Sequence, residues 1–85
     1  MTVFLRGHGN IHYQPIAIHA LRLALDFSDS ISSLSFATLH VHHHLLEAIH
    51  IEQYSQKLRL VFTLAVRVKY AITVRKNVLA IQFRL

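Results

Sequence analysis

Between Lys57 and Leu85 the chain alternates apolar and polar residues with a period of two, and every charge in that stretch is positive. The even positions Leu58, Leu60, Phe62, Leu64, Val66, Val68, Tyr70, Ile72 and Val74 are apolar. The odd positions carry Arg59, Thr63, Arg67, Lys69, Thr73 and Arg75, with Val61, Ala65 and Ala71 as exceptions. A β-strand sends successive side chains to opposite faces, so this pattern describes a strand with one buried and one wet face. Across Arg75-Lys76-Asn77 the apolar parity switches to Leu79, Ile81, Phe83 and Leu85. A two-residue turn at Lys76-Asn77 accounts for the switch, pairing Arg75 with Val78, Val74 with Leu79, Ile72 with Ile81 and Tyr70 with Phe83. That register gathers every large apolar residue of the hairpin except Val78 on one face. Fully extended, Leu58 to Val74 spans roughly 55 Å, whereas a compact domain of this length is about 30 Å across. The segment must therefore bend, carry a bulge or reach onto another subunit.

The rest of the chain is less regular. Thr2 to Arg6 reads as a short strand, Gly7-His8-Gly9-Asn10 as a turn, and Ile11 to Gln14 as an extended piece closed by Pro15. From Ile16 to Phe27 apolar residues alternate with a parity shift at Ala20-Leu21, the signature of a strand with a β-bulge. The rival reading is a helix with Pro15 in its first turn. Ser28-Asp29-Ser30 is a break, after which Ser33 or Ser35 is placed to cap a helix. From Phe36 to about Gln53 the spacing predicts that helix, with Ala37, Val41, Leu45, Ala48 and Ile49 on one apolar face. Ser55-Gln56 ends it.

Eighty-five residues suffice for one domain with a small core, and no cysteine is present to brace it. A hydrophobic content of 53% is high for so short a chain, which predicts apolar surface shared with another chain, a lipid or a ligand. No stretch supplies the roughly 18 to 20 apolar residues of a membrane helix. No secretory leader is evident, so the default expectation is a soluble, intracellular, cytoplasmic protein. The net charge of +5 is unevenly spread. Arg6 and Arg22 stand against Asp26, Asp29, Glu47 and Glu52 in the first part, whereas Lys57, Arg59, Arg67, Lys69, Arg75, Lys76 and Arg84 face no acid in the second. Such a split predicts an anionic partner for the second part, or the acidic part of a neighbouring subunit.

The hairpin register sets Lys69 opposite Arg84, with Arg67 nearby. Like charges facing across a ladder are destabilising unless an anion lies between them. Arg59, Arg67, Lys69, Arg75, Lys76 and Arg84 are thus the candidate contacts for a polyanion such as a nucleic-acid backbone. Phe62, Tyr70 and Phe83 point to the apolar face, so no aromatic platform is expected beside these cations, and binding is expected to be to phosphate with low sequence specificity. The competing role for the same cations is to solvate the sheet and protect its edges from aggregation. On the predicted helix, His40, His43, Glu47 and His50 form one stripe with His44 beside it, a spacing able to hold zinc or another divalent transition metal. The competing role for the stripe is a solvated or pH-sensitive helix face.

Catalytic signatures are weak. Gly7-His8-Gly9 lacks the third glycine of a dinucleotide loop, and no G-x-S-x-G elbow is present. The combined expectation is a single α+β domain over residues 1–85, with N-terminal extended segments, one central amphipathic helix and a long C-terminal antiparallel hairpin. Its expected function is a non-enzymatic, homo-oligomeric binding protein, self-associating through a sheet edge or apolar face, whose cationic sheet face meets a polyanion. The alternatives are a metal-binding protein using the histidine stripe and a lipid-associated protein using the apolar sheet face.

Overall fold

The computed structural model describes residues 1–9, 11–28, 30 and 37–85, with backbone alone at Ala17 and Ile18. Among the described residues there are eight strands: β1 (Thr2–Arg6), β2 (Gln14–His19), β3 (Arg22–Ser28), β4 (Thr38–His40), β5 (Leu46–Tyr54), β6 (Lys57–Leu64), β7 (Lys69–Arg75) and β8 (Val78–Arg84). They form two antiparallel sheets, one ordered β1-β8-β7 and the other β2-β3-β6-β5-β4. The small sheet is built from the two ends of the chain and the large one from its middle. There is no helix among the described residues, so the α+β expectation is wrong and the protein is all-β.

The cationic alternating segment does not run through as one strand. Its expected 55 Å exceeds the longest dimension of the molecule, 31 Å. It breaks after Leu64, where the Ala65 N–H bonds to the Leu45 carbonyl at 3.0 Å. The chain then leaves the large sheet and enters the small one at Lys69. β6, the part expected to overhang, has partners on both sides: Leu60 lies opposite Leu25 of β3 and Ile51 of β5. Its pairing needs no second subunit. Beyond the break, the β7–β8 hairpin has the register that parity dictates, with Arg75 opposite Val78, Ile72 opposite Ile81 and Lys69 opposite Arg84.

Residues 16–27 are extended, but the parity shift at Ala20-Leu21 is a turn rather than a bulge. His19 pairs with Arg22 across it, and the irregularity in the ladder falls between Ala17 and His19 instead. The predicted helix from Phe36 to Gln53 is replaced by β4, a connection and β5. Ser33, Ser35 and Phe36, which were to begin it, lie outside the described residues. An irregularity in the ladder explains the helical appearance. The ladder shifts between Leu46 and Ala48, so the large apolar residues that β5 gives to the core cluster are Leu46, Ile49 and partly Ile51, a three-then-two spacing that imitates a helix face. His42 has a φ of 54°, in the left-handed region that a right-handed helix cannot contain.

The core lies between the sheets. Leu23, Leu25, Leu60, Phe62, Leu64, Leu46 and Ile49 from the large sheet meet Leu79, Ile81 and Phe83 from the small one. The Phe62 and Phe83 rings, both fully buried, approach to 5.8 Å between centroids. Both apolar sheet faces are consumed by this packing, as in a sandwich of two sheets. The apolar sheet face invoked for lipid is therefore the interior of the molecule. The radius of gyration of 12.3 Å is about that of a compact monomer of this length.

Candidate anion-binding face

The chemistry of this chain is set by what the two outer sheet faces carry. On the large sheet, Asp26 of β3 stands between Gln14 of β2 and Arg59 of β6, with Glu52 of β5 beyond. Asp26 is buried and accepts two bonds from Arg59, Nε to Oδ1 at 2.7 Å and Nη2 to Oδ2 at 3.1 Å. Lys57 adds an ion pair to the same carboxylate at 3.2 Å. The Arg59 guanidinium, with Lys57 assisting, holds the Asp26 carboxyl below the ordinary carboxylate value, and burial opposes that effect without cancelling it. The same bond raises the already high pKa of Arg59. Arg59 is thus a structural cation with its charge answered, unlike the free phosphate contact expected from the sequence. Beside it, an open depression of about 450 Å³ is lined by Arg22, Thr38, His50, Glu52 and Arg59. Its charges are of both signs.

The small sheet is different. Antiparallel pairing aligns Arg6 of β1, Val78 of β8 and Arg75 of β7 in one cross-strand row. Phe4, Ala80 and Thr73 form the next row on that face, then Thr2, Gln82 and Ala71, and finally Arg84 with Lys69. The alternate residues Leu79, Ile81 and Phe83 point into the core, so this set points outward. β1, β7 and β8 contain no Asp or Glu. Arg6 and Arg75 close one end of the face, with Lys76 in the adjoining turn, while Lys69 and Arg84 close the other, roughly 20 Å away. Arg67 lies two residues before β7. The Gly7 N–H donates to the Asn77 carbonyl at 2.8 Å, which ties the end of β1 to the turn and keeps Arg6 beside Arg75 and Lys76. Among the described residues, none of Arg6, Arg67, Lys69, Arg75, Lys76 and Arg84 has a carboxylate partner.

Five of the six expected cations are therefore gathered on or beside the small sheet, and Arg59 is not. The structure adds Arg6, and it adds Phe4, which is 69% exposed on the edge strand β1, between the two cationic ends of the face. The hairpin by itself sets no aromatic among the cations, because the ring comes from β1. The signal is present in Thr2 to Arg6, where Val3 and Leu5 alternate with Thr2, Phe4 and Arg6. That pattern sets one aromatic ring on the polar side of a strand.

The histidine stripe is not assembled. His40 ends β4, His43 lies in the β4–β5 connection, and Glu47 and His50 belong to β5. His50 has Nδ1 3.2 Å from the Thr38 hydroxyl. His43 stacks on His44 at 4.2 Å between ring centroids, and its Nδ1 accepts the Leu45 N–H at 3.1 Å. Among the described residues no group of three His, Asp or Glu side chains is arranged to hold a metal ion. No helix among them is long and apolar enough to cross a membrane.

Comparison with protein-family models, with curated proteins and with solved structures finds no match to this chain.

Proposed function

We propose that the protein is a non-enzymatic binding protein whose small-sheet face holds a polyanion, with nucleic acid as the partner class. The supporting observation is the segregation of charge: the acids Asp26 and Glu52 lie on the large sheet, whereas Arg6, Arg75, Lys69 and Arg84 share an outer face without a carboxylate. Lys69 and Arg84 repel each other directly across the ladder, a cost that a phosphate between them removes. Self-association, expected from the sequence, loses its main support, because β6 is satisfied within one chain. The face is complete in one copy.

The test is fluorescence anisotropy of a labelled 15-nucleotide oligo(dT) and displacement of that label by heparin, at salt concentrations from 20 to 300 mM. Four to six phosphate contacts give a log–log slope of roughly −3 to −4 for a single strand. No binding to either polyanion at the lowest salt refutes the proposal.

A further inference from the structure

We infer that Phe4 is a base-stacking platform, so that the ligand of the small-sheet face is single-stranded nucleic acid and not phosphate alone. The inference rests on the polyanion reading above and narrows it to a ligand class with exposed bases.

Among the described residues Phe4 is the most exposed of the phenylalanines and tyrosines, at 69%, against 49% for Tyr54 and 43% for Tyr70. Its neighbours along the row are Ala80 and Thr73, whose short side chains leave the strands beside the ring low. The neighbouring row of Thr2, Gln82 and Ala71 is equally short or polar and carries no charge. Arg6 stands two residues along β1 on the same face, opposite Val78 and in line with Arg75. A polynucleotide has a matching arrangement: anionic groups along a flexible backbone and flat apolar faces between them. Cations at both ends of the face meet the phosphates, and the ring between them meets a base. A ring left 69% exposed gains little from burial, so folding alone offers little reason for an aromatic at this position. A duplex keeps its base faces stacked internally, so only a strand with unpaired bases makes use of it.

The experiment replaces Phe4 and compares two polyanions. Stacking of one base on an aromatic side chain corresponds to roughly 5- to 150-fold in affinity. Phe4→Leu is expected to weaken oligo(dT) and oligo(rU) by that factor, and to leave heparin affinity and the salt slope unchanged, since heparin has charge but no bases. The chain contains no tryptophan, so Phe4→Trp provides a single fluorophore at the site. Its emission is expected to be quenched by oligo(dT) and not by heparin. Unchanged oligo(dT) affinity in Phe4→Leu overturns the inference, as does an equal loss for both polyanions, or the absence of quenching in Phe4→Trp. In those cases wild-type binding to heparin still upholds the polyanion reading. If wild type binds neither, that reading fails and this one fails with it.

Discussion

Asp26 and His43 each hold a piece of the large sheet in place through one protonation state. The Asp26 carboxylate answers Arg59 and Lys57 on the outer face. Its pKa is lowered from the ordinary 3.8, chiefly by the bond from Arg59. A carboxyl with a lowered folded-state pKa contributes stability above its unfolded value, and that contribution is lost as pH falls through the lowered one. His43 accepts the Leu45 N–H at Nδ1, which a protonated ring cannot do. Burial, reinforced by His44, lowers its pKa from 6.5. The unfolded chain then takes up this proton more readily than the folded one, so stability declines as pH falls below about 6.5. Urea melts at pH 8, 5.5 and 3 separate the two groups. His43→Gln is expected to lessen the loss between pH 8 and 5.5. Asp26→Asn is expected to cost about 1–3 kcal/mol at pH 8 and to flatten the fall toward pH 3. Wild-type pH dependence in both variants contradicts these assignments.

The turn between β7 and β8 shows at the level of an element how local strain and register coexist. Lys76 has a φ of 56° and Asn77 does not share the left-handed region, which gives the φ signs of a type II′ turn, where glycine is favoured at the first central position. Lys76→Gly is expected to stabilise the protein by about 0.5–1 kcal/mol, because relief of the left-handed strain outweighs the entropy of glycine. That corresponds to roughly 2–8 °C in Tm by calorimetry. Lys76→Ala, which removes the charge and keeps the strain, is expected to show no such gain. A rise in both places the effect in charge instead of backbone. The hairpin is legible in the sequence despite this unfavourable turn residue, because Leu79, Ile81 and Phe83 must share a face with Ile72 and Val74. β5 is not legible, for the converse reason. Its ladder irregularity beside Glu47 breaks the period of two, and the left-handed His42 leaves no mark in an apolar pattern. Parity also carries no length limit, so it joins β6 to β7 across a break that only the size of the core imposes.

At the scale of the molecule, the two sheets turn their apolar faces toward each other and leave two outer faces of unlike charge. One carries Asp26 and Glu52 among its cations, with Asp26 ion-paired to Lys57 and Arg59. The other carries cations without carboxylate partners around Phe4, among the described residues. The hairpin half of that face can be read from sequence, since Lys69 and Arg84 follow from register. Its completion by β1 cannot, because the pairing of Thr2 with Gln82 and Arg6 with Val78 joins segments more than seventy residues apart. Lys69→Glu tests the account most directly, by measuring oligo(dT) affinity and thermal stability in one variant. The exchange turns a repulsive pair with Arg84 into an attractive one, so stability is expected to hold or rise by up to about 1 kcal/mol. Affinity is expected to fall, with the salt slope shallower by about 0.7 for each phosphate no longer held. Opposite movement of the two quantities marks Lys69 as a binding cation. Affinity unchanged from wild type marks the small-sheet cations as a solvated surface and contradicts the central claim.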